Sequence, residues 1–547
     1  MGKIKKIFGV TSKIIRWIWR VILSLLLILC IVFQAPLKLL TLVAIFLLAC
    51  TILPLRYRKW FWAGVGVVVL ALVLWVFIPE KDGDWKPFTF DEELATLEAK
   101  REIPDGENAA VIYNQLLADY NENTFGPNCL NDDFIDSETL GTYWHSKDYP
   151  EVAKWINGNK QTINKLMQAS EFEKCKFDVI SKSPLLFDIK MTGALRRWTF
   201  LLSRAANNDI AEGKTGQGLK KISCTLQMGK HIHQQPLLVE ILVGMGIKNL
   251  AIERFNNFVI TGNVNKKQLD TIERFIEVVG YDWQSDLPGI VDYEKLLFKN
   301  TLGLFYEVNA KGQYRFLRHP ENAIKLFSPE VNILPKNYLQ LKLVKAGSII
   351  NWFFYPATPQ ELSKAIDIAY QKYYEMANLN FDWSRKPKPT EFPLPLFELN
   401  YKLNYKYLIK MLALMEESTY YKIHDLYLRQ ESGKNGSLLL IALRRYKDKT
   451  GVWPENLDET KGLTNEENFI DPVNGQSFVY KLTDGGFTLY SKGKNGIDDN
   501  GERFSEYCTE TNQTKKTADD IKIWSLKQCQ KESPKETYKE PNDTQRD

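Results

Sequence analysis

The chain has 547 residues, enough for several domains. Hydrophobic residues make up 44% and charged residues 25%, which excludes wholesale disorder, a collagen and a coiled-coil rod. The net charge of +5 is unevenly placed: residues 1–79 hold ten Lys or Arg and no Asp or Glu, leaving 61 basic against 66 acidic residues beyond them, so the body has no positive excess to hold nucleic acid.

Three apolar stretches open the chain, at 14–33, 37–55 and 61–78. A helix needs about 20 residues to cross the hydrocarbon core. The second carries only Lys38, and the third no charge at all. In the first, Arg16 and Arg20 can snorkel beside Trp17 and Trp19. A cleaved signal peptide is not expected, because no single short apolar region leads to a small-residue cleavage site. Lys6 stands where an N-myristoylation motif wants Ser or Thr. Basic loops stay in the cytoplasm. Lys3, Lys5, Lys6 and Lys13 precede the first stretch, and Arg56, Arg58 and Lys59 lie between the second and third. The expectation is a three-helix anchor over 1–80, an integral membrane protein with a cytoplasmic N-terminus and everything after Ile78 outside. No ionisable residue lies deep in the third stretch, so the helices read as an anchor rather than an ion path.

The next region, 81–430, has mostly helical periodicity. Apolar residues recur at three and four spacing over Asn108–Tyr120, Pro150–Ser170, Ala194–Ile210, Gly216–Gln234, Pro236–Phe258 and Lys267–Val279. The pair Ala194–Ile210 and Gly216–Gln234, with a short turn at Glu212-Gly213-Lys214, resembles a tetratricopeptide-like hairpin, although no regular 34-residue period is present. Leu237–Ile247 is short and carries Glu240, so it reads as a buried helix. Thr358-Pro359-Gln360-Glu361 is a capping box with proline at the first helical position. It opens a helix to about Ala377, and a long helical stretch covers Leu399–Arg429. Trp352-Phe353-Phe354-Tyr355 reads as core. His231 and His233 are two apart, so on a helix they point away from each other and cannot share a metal. The sequence has no H-E-x-x-H, G-x-S-x-G, P-loop or dinucleotide fingerprint. No cysteine belongs to a C-x-x-C pair, and Cys508 with Cys529 is a pair that an oxidising compartment could bridge.

Composition changes near Glu431. Glu431–Gly436 reads as a flexible break, Ser437–Lys449 as a helix, and Gln476–Leu482 and Gly486–Ser491 as strands around Thr483-Asp484-Gly485. The residues after about 526 form a polar, mixed-charge tail expected to be disordered. Several pieces occur in a telling order: Tyr446, Gly451-Val452-Trp453-Pro454, Asp471-Pro472-Val473-Asn474-Gly475, Leu489-Tyr490-Ser491-Lys492-Gly493-Lys494-Asn495-Gly496 and Asp520-Ile521. In that order they make 431–526 resemble the globular part of the type II secretion major pseudopilin. The resemblance implies a small α+β domain and a calcium ion in the loop. Carried over, Asn495 replaces the usual Asp and Asp520 matches the later Asp before Ile. Asp498, Asp499 and Asp519 are further candidates from this sequence itself. A Gly/Asp/Asn loop can supply the six to eight oxygens calcium wants. A polar turn with solvated carboxylates is the alternative, and Glu502–Ala518 makes the connection longer than the family's. Gly485-Gly486-Phe487-Thr488-Leu489 looks like a prepilin cleavage site but lies in a hairpin near the C-terminus, so no pilin-type processing is expected.

The whole reads as a multi-domain membrane protein: an N-terminal anchor, a mostly α-helical body and a small pseudopilin-like end. That layout also resembles uncharacterised bacterial envelope proteins with an anchor, a helical body and such an end. The expectation is a non-enzymatic scaffold or protein-interaction protein on the outer face of the inner membrane. The alternatives are an accessory component of a type II secretion or pilus-like machine, and an envelope hydrolase with an unrecognised site.

Overall fold

The computed structural model describes residues 84–179, 190–316, 358–378 and 405–525, apart from a few positions within these ranges, together with Phe381 and Trp383. The three apolar stretches (single positions apart), the Trp352–Tyr355 cluster, Cys529 and the polar tail lie outside the described residues. Among the described residues no helix is long and apolar enough to cross a membrane. Most of the described chain is helical, with small antiparallel sheets near its C-terminal end.

The body begins with β1 (Lys86–Pro87), α1 (Asp91–Lys100), α2 (Ala110–Ala118) and α3 (Asp133–Gly141). The Pro150–Ser170 periodicity resolves into two helices, α4 (Pro150–Gly158) and α5 (Lys160–Ala169). They part at Gly158-Asn159, where Asn159 Nδ2 donates to the Trp155 carbonyl at 2.9 Å. Asn and Gly are weak helix formers, and Asn competes for backbone groups. Next come α6 (Lys190–Ala211), α7 (Thr215–His233) and α8 (Leu238–Thr261). The expected turn between α6 and α7 is present, with Gly213 in the left-handed region at φ 76°. A core around Tyr113, Leu166, Trp198, Leu202 and Met228 joins α2, α5, α6 and α7.

Helices α7 and α8 approach closely at two glycines. A Cβ on Gly229 would lie 2.8 Å from the Lys248 nitrogen, and one on Gly244 would lie 2.8 Å from the Gly229 carbonyl oxygen. Both obstacles are backbone, so a larger residue at either position would force the helices apart. Leu237–Ile247 thus lies in a buried helix packed on α7, with Ile241, Met245 and Ile247 inside.

The body continues through α9 (Lys266–Glu277) and α10 (Trp283–Asn300). Strands β2 (Tyr306–Val308) and β3 (Tyr314–Phe316) then complete a small antiparallel sheet with β1. Sequence periodicity did not reveal α10, because Pro288 lies inside it and Gly289 follows. The capping box is present at α11 (Pro359–Glu375): the Glu361 N–H donates to Thr358 Oγ1, and the Thr358 N–H donates to Glu361 Oε2, both at 3.0 Å.

The largest departure from the sequence reading is α12, one helix from Tyr405 to Thr450. The break expected at Glu431–Gly436 is helical. Its glycine content reflects packing: a Cβ on Gly436 would lie 2.7 Å from Ile523 Cγ1. After the glycines, Ser437–Leu443 is buried on every side. Leu438 and Ile441 join the body core with Phe255, Ile272 and Tyr427. Leu439, Leu440 and Leu443 join a second core with Phe478, Phe487, Leu489 and Trp524. That second core lies under a sheet ordered β4 (Val479–Thr483), β5 (Gly486–Ser491) and β8 (Ile521–Trp524), all antiparallel. The long connection Glu502–Ala518 is not an open loop but a separate hairpin of β6 (Arg503–Cys508) and β7 (Gln513–Asp519).

Two carboxylates, Glu240 buried and Glu294 half-buried, hold the start of α8. Glu240 Oε2 accepts from the Leu237 N–H at 3.1 Å, and Glu294 Oε1 from the Leu238 N–H at 3.0 Å. Burial pushes the Glu294 carboxyl up to about 7. Burial also pushes Glu240 up to about 7, with Glu294 and Glu98 adding to the rise, and the Leu237 N–H and Arg101 opposing it. The unfolded chain releases these protons near about 4.3, so between there and about 7 the native state binds more protons and stability falls as pH rises. Glu294→Gln keeps an acceptor for Leu238 and removes the charge. Its melting temperature, relative to the unaltered protein, should rise from about pH 4.5 to about pH 8. A difference that does not change with pH would contradict this assignment.

Candidate cation site in the C-terminal module

The loop that follows β5 turns back toward β8 and is fixed from below by Asp471. This carboxylate is fully buried. Its Oδ2 accepts from Ser491 Oγ and from Asn474 Nδ2, and its Oδ1 from the Val473 N–H. Asn474 Nδ2 also donates to the Gly493 carbonyl at 2.8 Å. Asp471, Asn474 and Ser491 thus set the loop's entry. The Asp-Pro-x-Asn-Gly turn is visible in the sequence, but its reach to residue 491 is not. Pairing of Ser491 with Ile521 then brings the entry beside Asp519 and Asp520.

Gly493 sits at φ 62°, and a Cβ there would run into the Asp519 carbonyl and carboxylate. Only glycine fits this contact. Asp519 Oδ2 accepts from the Lys494 N–H at 2.9 Å and faces Arg429 Nη2 at 3.8 Å. Asp520 is 1% exposed. Its Oδ2 accepts from the N–H groups of Asp499 (3.0 Å) and Gly501 (2.7 Å), which holds the far end of the loop. Burial pushes the Asp520 carboxyl up, Asp499 and Asp498 add to that, and the two N–H bonds oppose it. Asp519 Oδ1 and Asp520 Oδ1 are both buried without a hydrogen-bond partner.

The other candidates are occupied differently. Asp498 Oδ1 accepts from Tyr490 Oη at 2.6 Å and from the Asn500 N–H at 2.9 Å, and Lys481 Nζ lies 3.2 Å from Oδ2. The tyrosine hydrogen bond is the main reason the Asp498 carboxyl lies below its ordinary range. Asn495 Oδ1 accepts from the Ile497 N–H at 2.7 Å, and its Nδ2 donates to Asp499 Oδ2 at 3.1 Å. Asp519 and Asp520 are therefore the two candidates that each keep a buried carboxylate oxygen without a hydrogen-bond partner, Asp519 at the loop's entry and Asp520 at its far end. Asp498 and Asn495 shape the loop.

The chain matches no family model, curated protein or solved structure.

An oxygen-only donor set with two unpaired buried carboxylate oxygens suits a hard cation such as calcium. Among the described residues no group of three His, Cys, Asp or Glu side chains could hold a metal, so backbone carbonyls and water would supply the rest of the shell. The histidines are placed otherwise. His231 is buried, with Nδ1 2.9 Å from Tyr113 Oη and Nε2 2.9 Å from the Phe172 carbonyl. Burial lowers it to about 4, so it is neutral. His233 faces Asp286 at 3.0 Å. His424 stacks on Trp383 with ring centroids 3.5 Å apart.

A cation bound only to the folded chain stabilises it by mass action. Millimolar calcium should raise the melting temperature of the full chain over that in chelator, and Asp520→Ala should abolish the rise. Equal melting with calcium and with chelator would mean that the loop is a polar turn.

Proposed function

We propose that this is a non-enzymatic scaffold or protein-interaction protein of the bacterial envelope, held in the inner membrane by its N-terminal segment with its body outside. The observation that carries this reading is α12, which fixes a small sheet module rigidly to a stack of helical hairpins. A rigid frame of that kind suits the presentation of surfaces to other proteins. The ten basic residues without an acidic one in 1–79 support the orientation.

A second reading is an accessory component of a type II secretion or pilus-like machine. It is favoured by a helix packed on a three-stranded antiparallel sheet with an oxygen-rich loop beside it. In either reading Asp519 and Asp520 would hold calcium, whose charge would tie the loop to β8. The chain's own part is to set the loop's entry through Asp471 and its end through Asp520.

Topology tests the first reading. A phosphatase fused after residue 85 should be active and one fused at residue 58 inactive. The reverse pattern would overturn the proposal.

A further inference from the structure

The small sheet of β1, β2 and β3 stands where the body begins. It is antiparallel throughout: Lys86 lies opposite Val308, and Val308 opposite Tyr314. Trp85 precedes Lys86, so the chain enters this sheet at the end that carries the β2–β3 turn, residues 309–313. The third apolar stretch ends at Ile78, seven residues before Trp85. Seven residues span at most about 25 Å. On the anchored reading proposed above, on which this inference rests, the entry point is tethered close to the bilayer and the turn lies beside it.

The turn is closed on itself. Asn309 Oδ1 accepts from the N–H groups of Lys311 and Gln313, both at 3.0 Å. The Asn309 N–H donates to the Gln313 carbonyl at 2.9 Å, and Gly312 takes the left-handed conformation at φ 73°. Ala310 and Lys311 are left exposed at the tip. Residues directly opposite each other in a sheet share a face. Lys86 and Tyr314 therefore flank Val308 on one face, and both are exposed. On the other face the half-buried Trp85 ring lies under the Arg315 guanidinium, whose carbon is 4.5 Å from the ring centre. Glu307 holds that guanidinium at 2.6 Å, which fixes the ring and cancels the charge.

Among the described residues, the exposed charges left at this end are Lys86 and Lys311 against Asp84. Beyond the opposite end the chain passes Phe88, whose N–H donates to the Tyr306 carbonyl at 2.9 Å, and enters α1 with Asp91, Glu92 and Glu93 in its first turn. Lysines and amphipathic rings thus gather at the tethered end, and the acidic turn follows at the far one. Trp and Tyr suit the headgroup layer of a bilayer, with the ring body apolar and its edge polar. Lysines near a membrane surface are drawn to anionic lipid.

We propose that this end of the sheet rests on the bilayer, with Lys86 and Lys311 at the phosphates of anionic glycerophospholipids and with Tyr314 and Trp85 in the headgroup layer. A second contact beside the tether fixes how the body stands on the membrane, which a tether alone does not do.

The test is photo-cross-linking of the full chain in vesicles of phosphatidylcholine and phosphatidylglycerol in equal parts. Ala310→p-benzoylphenylalanine probes the turn, and Leu70→p-benzoylphenylalanine probes the anchor. Both should cross-link to lipid. Adding Lys86→Glu with Lys311→Glu should lower the cross-link from position 310 several-fold without lowering the melting temperature, and so should vesicles of phosphatidylcholine alone. Cross-linking from position 70 with none from 310 would overturn this inference and leave the anchor standing. No lipid cross-link from position 70 would overturn the anchored reading, and the inference with it. A cross-link from 310 that is equally strong in both kinds of vesicle and in the lysine variant would overturn the assignment to anionic lipid.

Discussion

Seven consecutive buried residues, Ser437–Leu443, hold this architecture together. A helix that is apolar all round must be enclosed on every side. Here one side is covered by the helical body through Leu438 and Ile441, and the other by the sheet through Leu439, Leu440 and Leu443. Truncating one such leucine to alanine costs about 2–5 kcal/mol, so the seam is worth a large part of a domain's net stability. Polar contacts fix its register. Asn256 Nδ2 donates to Ser437 Oγ at 2.9 Å inside the seam. Arg444 Nη1 donates to the Val259 carbonyl at 2.7 Å, closing the end of α8. Arg445 forks onto Asp270 and Glu273 of α9.

The same helix reaches the loop of the cation site. Asp425 pairs with Lys494 at 2.6 Å, and Arg429 lies near Asp519. The more exposed of the two, Asp425 with Lys494, contributes little stability, typically below about 1 kcal/mol for surface pairs. Their value is positional: they aim the loop back at the body. The loop, the sheet and the body are therefore not three units strung on linkers. A change of charge at Asp519 would be felt by α12 directly, through Arg429.

Much of the body was legible in the sequence, for physical reasons. Helices α6 to α9 carry long three-and-four apolar repeats, and Thr358 with Glu361 announces the start of α11. Pro288-Gly289 hid α10 because those residues usually end a helix. Glycines at 433 and 436 read as a flexible break, yet Gly436 is there because Ile523 occupies the space a side chain would need. Local composition cannot report a neighbour 87 residues away in sequence. For the loop, the order of the motifs pointed to Asp520 before Ile521, and Asp519 stood with Asp498 and Asp499 as a further candidate. The roles of Asp498 and Asn495 depended on partners such as Lys481, on a strand not adjacent in sequence. The sheet of β1, β2 and β3 was invisible, because its strands are two or three residues long and come from distant segments, each unremarkable alone.

The central claim is that α12 runs unbroken through Glu431–Gly436 and fuses body and module into one cooperative structure. Hydrogen exchange of the full chain, followed across residues 425–445, tests it most directly. The account predicts that the amides of 431–436 exchange as slowly as those of 438–443, and that both are lost together as denaturant is raised. Fast exchange confined to 431–436, with slow exchange on either side, would show a hinge there and contradict it.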